Sequence, residues 1–256
     1  MITPEEVAGT LGRGDGGFGR GQQSYFDHPV LQKPHWSWEI VAYFFAGGIA
    51  AGSSALALLA EHGKRDEDRA LVRNARYTAL AGASVSGVLL IADLGRPERF
   101  LNMLRIVKLK SPMSVGVYTL MTFSATTGIA ALEQLHADGA IPLNPAGWFP
   151  RPLRAALQAV STALMGSYTG VLVAATAIPV WYRGRREIPA IFALSAIGTA
   201  CALQNALLAL TAPSPATARK LELLETAAAV GEAALLAAYE RSAGSAGRPL
   251  FAGARG

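Results

Sequence analysis

The sequence predicts an all-α polytopic membrane protein with about six transmembrane helices. Of its 256 residues, 51% are hydrophobic and only 16% are charged, which is unlike a soluble globular domain. The apolar residues fall in long blocks, and a helix of roughly 20 apolar residues is enough to cross the hydrocarbon core of a bilayer. We therefore expect spans at about 37–60, 76–93, 112–134, 155–182, 188–211 and 217–240.

A single membrane domain, residues 36–240, is expected between two polar ends. Residues 1–35 are polar and Gly-rich and contain no apolar stretch of signal-peptide length, so the first span is expected to direct insertion. Residues 241–256 are predicted to form a flexible tail. The Lys and Arg residues behind the net charge of +5 lie between the predicted spans, which favours a membrane protein over a nucleic-acid partner.

The first span contains signals of a membrane boundary and of close helix packing. It begins with the aromatic-rich run PHWSWEIVAYFF, and Trp and Tyr are typical of the bilayer interface. Farther along, Gly48 and Gly52 lie four residues apart on one helix face, and Gly166 and Gly170 repeat that spacing in the fourth span. Small residues at this spacing allow helices to approach closely, so we expect tight packing at both pairs.

A cationic stretch, Asp93–Gly116, separates the second and third spans, and we call it the ledge. It reads DLGRPERFLNMLRIVKLKSPMSVG, which is too polar for the hydrocarbon core and is expected at the membrane surface. Asp93 is predicted to end a helix, and residues 97–107 to form an amphipathic interfacial helix. Ser111 and Pro112 then have the residue types that begin a new helix. The basic residues of the ledge are Arg96, Arg99, Arg105, Lys108 and Lys110.

The distribution of Lys and Arg leaves the membrane orientation open. The residues on the amino-terminal side are more basic only when the five cationic residues of the ledge are included. Without those five, the two sides carry equal numbers. Because the charged residues of the ledge can instead serve the chemistry of a site, they do not decide the membrane orientation.

The ledge run DLGRPERFLNML, the following SPMSVG and the first-span run WEIVAYFFAGGIAAG together resemble the NrfD/PsrC family over about residues 36–240. These proteins are integral membrane subunits of polysulfide reductase, formate-dependent nitrite reductase and related complexes. The resemblance implies electron exchange between a membrane quinone, menaquinone or ubiquinone, and a ferredoxin-like iron–sulfur subunit, usually joined to a molybdopterin oxidoreductase. It also implies a quinone site in a bundle of the first four helices, in a prokaryotic inner membrane. Members typically have eight spans, two more than are predicted here.

The residues themselves offer no electron carrier. A single cysteine, Cys201, excludes an iron–sulfur cluster held by this chain alone, and its simplest role is that of a small core residue. All four histidines lie at or outside the ends of the predicted spans, so neither a bis-histidine haem within the bilayer nor another metal centre is predicted. Electrons are therefore expected from the cluster of a partner, with quinone as an exchangeable substrate.

Glu39 and Tyr43 are the first candidate site residues, because they lie one helical turn apart at the start of the first span. The resemblance implies that polar residues in this part of the first helix line the quinone pocket, with Glu39 as a proton-exchange group and Tyr43 as a quinone contact. His35 is a candidate proton relay beside them. The alternatives are an interfacial glutamate that reaches water, a tyrosine of the aromatic belt and a solvent-exposed histidine.

Asp93 forms a second candidate group with Arg96 and Arg99. An acid beside two guanidinium groups stays ionised, and it can orient one of them towards a quinone oxygen that becomes negative on reduction. Asp93 and Arg99 are thus assigned catalytic roles, and both arginines are assigned quinone contacts. Tyr118, early in the third span, completes the quinone-binding set. The alternative is a salt-bridged turn that only stabilises the loop.

The sixth predicted span carries an acidic stripe, Glu222, Glu225 and Glu232. Acidic residues within a membrane usually face the interior of a bundle or a water-filled path, so Glu225 and Glu232 are candidates for a proton path. A helix parallel to the surface and burial against a partner remain alternatives. Two other functions also remain open, namely a non-catalytic anchor for a peripheral oxidoreductase and a small transporter.

Overall fold

The computed structural model describes residues 37–63, 65–94, 98, 100, 104, 105, 107, 108, 110–176, 178–210 and 214–247. Within these ranges the regular structure is entirely helical, which confirms the all-α prediction. The predicted segment 1–35 and most of the interfacial helix 97–107 lie outside them. The α-helices in these ranges are α1 (Trp38–Gly63), α2 (Arg69–Asp93), α3 (Pro112–Ala137), α4 (Arg151–Ala174), α5 (Pro179–Arg183), α6 (Glu187–Ala209) and α7 (Pro215–Ala243).

Five helices are long and apolar enough to cross a membrane, namely α1, α2, α3, α4 and α6. This confirms that the chain is a polytopic membrane protein. α7 is the longest helix described, with 29 residues, but its charged side chains keep it outside that set. Its crossing of the membrane, as a sixth span, stays a prediction.

The predicted fourth span, 155–182, is divided between two helices. α4 ends at Ala174 and α5 begins at Pro179. Proline has no N–H to donate and disfavours helical dihedrals in the residue before it, and Ile178 is accordingly extended, with ψ at 116°. α2 begins at Arg69, earlier than predicted, because its first two turns are charged and lie outside the apolar block that marked the span.

The first part of the predicted flexible tail is helical. α7 continues to Ala243, and a turn of 3₁₀ helix covers Gly244–Gly247. The guanidinium of Arg183 donates to the carbonyl of Ala243 at 2.8 Å, which satisfies one of the carbonyl groups that a helix end leaves unpaired. The chain therefore stays packed against α5 beyond residue 240.

α1 to α4 form a four-helix bundle, as predicted, because α1 contacts α2, α2 contacts α3, α3 contacts α4, and α4 contacts α1. α6 packs against α1 and α4, and α7 packs against α6. α6 therefore covers the side of the bundle formed by α1 and α4. The core of the bundle consists of Tyr43, Ala50, Ala51, Ala83, Leu120, Phe123 and Met165.

Successive long helices run antiparallel, so the bundle has two ends. α1, α3 and α6 begin at the end that carries the ledge, which we call the ledge end, and α2, α4 and α7 finish there. At the other end, which we call the opposite end, the Thr217 hydroxyl of α7 donates to the carboxylate of Asp68 at 2.8 Å. Side chains far apart in sequence are thereby gathered at each end.

The predicted close packing is confirmed at one glycine of each pair, with α6 as the partner helix in both cases. A Cβ atom on Gly52 would lie 2.1 Å from the carbonyl oxygen of Ala196, and a Cβ atom on Gly170 would lie 2.6 Å from the Cα of Pro189. The other glycine of each pair, four residues earlier, would make ordinary contacts at 3.8 and 3.6 Å. The backbone of α6 therefore approaches α1 and α4 most closely at Gly52 and Gly170.

Candidate functional site

The start of α1 is held against the end of α2. The Ser37 hydroxyl donates to the carboxylate of Asp93 at 2.5 Å, and α2 ends at Asp93, as predicted. Ser37 was missed in the sequence, where a serine before a helix indicates no more than a helix start. The bond brings the beginning of the first span and the beginning of the ledge to one place.

Glu39 and Tyr43 occupy successive turns of α1 at the ledge end. Glu39 is half-buried in the first turn, whereas Tyr43 is only 2% exposed. Tyr43 belongs to the core of the bundle with Leu120 and Phe123 of α3. A buried tyrosine is inconsistent with the aromatic-belt interpretation. The hydroxyl of Tyr43 instead lies within the bundle, one helical turn below the Glu39 carboxylate.

A second tyrosine, Tyr168 of α4, lies near Tyr43 and was not predicted. Its hydroxyl donates to the carbonyl of Pro112 at 2.6 Å. The absence of a side chain at Gly116 makes room for it, since a Cβ atom there would lie 2.1 Å from the phenol oxygen. The signal in the sequence was the run GSYTG. Its glycine spacing predicted close helix packing, but no role was predicted for its tyrosine.

We expect Gly116→Ala to destabilise the bundle, because the added methyl group would overlap the ring of Tyr168 and displace its hydroxyl from Pro112. Overpacking of this kind costs about 1–3 kcal/mol. Thermal unfolding in detergent, followed by circular dichroism, measures the effect. Gly128→Ala is the matched control, since it lies on the same helix with no atom within 4 Å. Equal midpoints for the two variants would contradict the expected role of Gly116.

Tyr118, predicted to contact quinone, holds the ledge. Its hydroxyl donates to the carbonyl of Leu104 at 2.9 Å, and the backbone N–H of Lys108 donates to the Ser114 hydroxyl at 3.1 Å. Both bonds join the part of the ledge that precedes α3 to the first two turns of that helix. Because a tyrosine hydroxyl has one hydrogen, Tyr118 in this conformation can accept a hydrogen bond from a ligand but has none left to donate.

α3 begins where the sequence predicts. Ser111 is the N-cap residue and Pro112 occupies the first helical position. The Ser111 side chain makes no capping hydrogen bond, and its carbonyl accepts the N–H of Val115 at 3.1 Å. The helix start thus depends on backbone geometry and on the proline.

Several predicted site residues lie outside the described residues, namely His35, Arg96 and Arg99. The pairing of the two arginines with Asp93 therefore stays a prediction. The remaining basic residues of the ledge are described, and all are exposed: Arg105, Lys108 and Lys110. They form a cationic surface at the ledge end.

An apolar cavity of about 480 Å³ lies on another face of α1 at the ledge end. A smaller cavity of about 250 Å³ shares Val41, Phe44 and Phe192 with it. Residues two apart on a helix lie about 200° apart around its axis, so Val41 faces away from Glu39. Neither cavity is lined by Glu39 or Tyr43. The larger cavity is lined by Val41, Phe44, Val173, Trp181, Ile188, Ile191, Phe192, Leu236 and Tyr239.

Two of the three acidic residues in the predicted stripe of α7 are partly shielded from solvent. Glu225 and Glu232 are half-buried and seven residues apart, which places them on one face, whereas Glu222 is exposed. Glu225 lies near Cys201 of α6, so this face is directed towards α6. The structure does not test their role as a proton path.

A chain of ion pairs at the opposite end was not recognised in the sequence. Arg76 of α2 pairs with Glu61 of α1 at 2.7 Å and with Glu133 of α3 at 3.7 Å. Glu133 also pairs with Arg154 of α4. These charges lie at the ends of apolar blocks, and nothing in the sequence indicates which of them pair with one another. Together they join all four helices of the bundle.

No group of three or more His, Cys, Asp or Glu side chains in the described ranges is arranged to bind a metal ion. Cys201, the single cysteine, is completely buried in α6 and packs with Leu56 and Leu208. Its surroundings are those of a small core residue.

Five apolar spans, a four-helix bundle and polar side chains gathered at its ledge end define a polytopic membrane protein with a candidate site at the membrane boundary. Residues 29–240 match the family described as polysulphide reductase, NrfD. The chain belongs to the NrfD family, as the resemblance of the ledge motif predicted. No curated protein and no solved structure matches the chain.

Proposed function

We propose that the chain is the quinone-binding membrane subunit of a multi-subunit oxidoreductase. It would exchange electrons between menaquinone or ubiquinone and a ferredoxin-like iron–sulfur subunit, which connects to a molybdopterin oxidoreductase in a prokaryotic inner membrane. Membership of the NrfD family supports this class. The hydrogen bond from Ser37 to Asp93 carries the proposed site, because it brings the first turn of α1 and the ledge to one end of the bundle.

The residues at the ledge end suit a quinone, which supplies two-electron, two-proton chemistry and has two ring oxygens that need polar partners. Glu39, half-buried in the first turn of α1, would exchange protons with water at the membrane surface. Tyr43, one turn deeper in an otherwise apolar core, would hydrogen-bond one ring oxygen. Asp93, oriented by Ser37, would direct Arg96 or Arg99 towards the developing negative charge.

Glu225 and Glu232 are proposed as a further route for protons along α7. They are half-buried and face α6, which is where intramembrane acids serve such a path. Because these two residues are not part of the proposed quinone site, their substitution would test the proton route without changing that site.

We expect Glu39→Gln to lower quinol oxidation by the purified complex roughly 100-fold, since glutamine cannot exchange protons. The measurement is quinol-dependent reduction of the clusters in the iron–sulfur subunit, with subunit stoichiometry measured in parallel. Glu240→Gln is the matched control, because Glu240 is an exposed acid of α7 at the same end of the bundle. Arg99→Gln should abolish turnover in the same way. Full turnover in both site variants, with assembly intact, would count against the site.

Two other functions are separated by direct observations. The exposed cationic residues of the ledge favour a non-catalytic anchor. Such an anchor would hold the partner subunits but retain no quinone, so quinone found in an extract of the purified complex would decide against it. A small transporter is favoured only by the two half-buried acids of α7. Co-purification with iron–sulfur and molybdenum-containing subunits would argue against a transporter.

A further inference from the structure

The opposite end of the bundle contains a cavity of about 660 Å³ that the proposed function does not use. It lies where α1 and α3 end and where α2 and α4 begin, which is the depth of the lipid headgroups if the helices cross the membrane. Alanine and valine side chains form an apolar wall on one part of it. Four arginines line the cavity, namely Arg65, Arg69, Arg73 and Arg151.

Three acidic residues also line the cavity, and each already has a partner within the protein. Glu61 pairs with Arg76 at 2.7 Å, and Asp66 pairs with Arg69 at 2.7 Å. Asp138 accepts hydrogen bonds from a tyrosine hydroxyl at 2.7 Å and from a glutamine amide at 2.9 Å. Asp138 still carries its charge, because both donors are neutral, and these hydrogen bonds together with the nearby Arg73 guanidinium hold the pKa of Asp138 below its usual value. Glu61 is paired with an arginine that does not line the cavity, so two acids remain against four arginines, and part of the positive charge of the cavity has no counterion.

Of the four arginines that line the cavity, Arg73 and Arg151 form no salt bridge with any residue that the structure describes. Arg73 belongs to α2 and Arg151 to α4, so the two residues line the cavity from different helices. Arg65 adds only a loose exposed pair with Glu67 at 3.5 Å. A guanidinium group presents paired N–H donors that match two oxygens of a phosphate group.

We propose that this cavity binds an anionic phosphate group through Arg73 and Arg151, and that the bilayer supplies it as the headgroup of an anionic phospholipid. Basic pockets between transmembrane helices suit such headgroups. Ala70 and Val72 line the same cavity and would contact the glycerol and the upper part of an acyl chain. Free inorganic phosphate shares the ionic chemistry but would make no use of this wall. The site lies at the end away from the ledge, so it does not depend on the proposed quinone chemistry.

Native mass spectrometry of the full-length protein tests the proposal, after equilibration with equal amounts of phosphatidylglycerol and phosphatidylcholine in detergent. We expect the wild type to retain phosphatidylglycerol at least roughly tenfold over phosphatidylcholine. The double variant Arg73→Gln/Arg151→Gln should lose that preference. The control, Arg219→Gln/Arg241→Gln, removes the same charge from exposed positions of α7 outside the cavity and should keep it.

A second measurement, thermal unfolding with and without millimolar inorganic phosphate, separates the two sources of the phosphate group. Stabilisation by phosphate that requires Arg73 and Arg151, without any lipid preference, would support the site and assign it a soluble anion. Equal loss of lipid preference in both double variants would overturn the proposal, as would a wild type that responds to neither probe. If the cavity variant does not fold, Arg73→Lys keeps the charge without the paired donors, and an unchanged response to both probes would overturn the role of Arg73.

Discussion

Arg76→Gln is expected to destabilise the folded bundle by about 1–3 kcal/mol, because removing one partner of a partly buried ion pair leaves the other charges uncompensated. The Arg76 side chain is 13% exposed, and it lies between the carboxylates of Glu61 and Glu133. Without it, Glu61 loses its only ion pair among the described residues, and Glu133 retains Arg154 alone. Thermal unfolding in detergent, followed by circular dichroism, measures the change.

Arg69→Gln provides the control for this prediction. Arg69 pairs with Asp66 at 2.7 Å on the same helix end, but their side chains are 81% and 89% exposed. Such a pair is screened by water and contributes less than about 1 kcal/mol, so the midpoint should hardly change. If the two arginine variants unfold at the same temperature, the ion-pair chain does not stabilise the bundle as the structure indicates.

Gly52→Ala is expected to separate α6 from α1 and to reduce the yield of folded protein. The new Cβ atom would lie 2.1 Å from the carbonyl oxygen of Ala196 and 2.7 Å from the Cβ of Ala200. The closest atom belongs to the backbone, so it cannot give way by a change of side-chain rotamer, and the helices must move apart. Overpacked sites of this kind cost about 1–3 kcal/mol and sometimes more. The yield of monodisperse protein in size-exclusion chromatography is the measurement.

Gly48→Ala, one helical turn earlier, is the matched control. Its Cβ atom would lie 3.8 Å from the Cβ of Ala196, which is an ordinary van der Waals contact. Alanine is also the better helix former by about 1 kcal/mol, so this variant should be neutral or slightly more stable. Equal losses for the two variants would show that the contact between α1 and α6 is looser than described.

The helix boundaries around the ledge illustrate what could be predicted from neighbouring residues. The end of α2 at Asp93 and the start of α3 at Pro112 follow from the change in composition and from the residue types that begin helices. Pro179 gave an equally local signal, but its effect was underestimated in the long apolar block around it. The membership of the NrfD family was likewise predictable, because its motif is contiguous in the chain.

The partners of polar side chains could not be predicted in the same way. Ser37 and Asp93 are 56 residues apart in the sequence, and the tyrosine that bonds to Pro112 is also 56 residues away from it. The hydrogen bond of Tyr118 was unpredictable for the same reason, since its acceptor is a backbone carbonyl whose identity no side-chain pattern reveals, and its quinone contact stays a prediction. Such pairs depend on which helices are neighbours and on how each is rotated about its axis.

By itself, the sequence determined the helical membrane class, the family and the extent of most spans, because hydropathy, proline and glycine act over one or two helical turns. Only the tertiary structure decided that Tyr43 is buried, that α6 packs against Gly52 and Gly170, and which arginines have partners at the opposite end. The physical reason is that burial and pairing are properties of contacts between helices, and these are set by how the whole bundle packs.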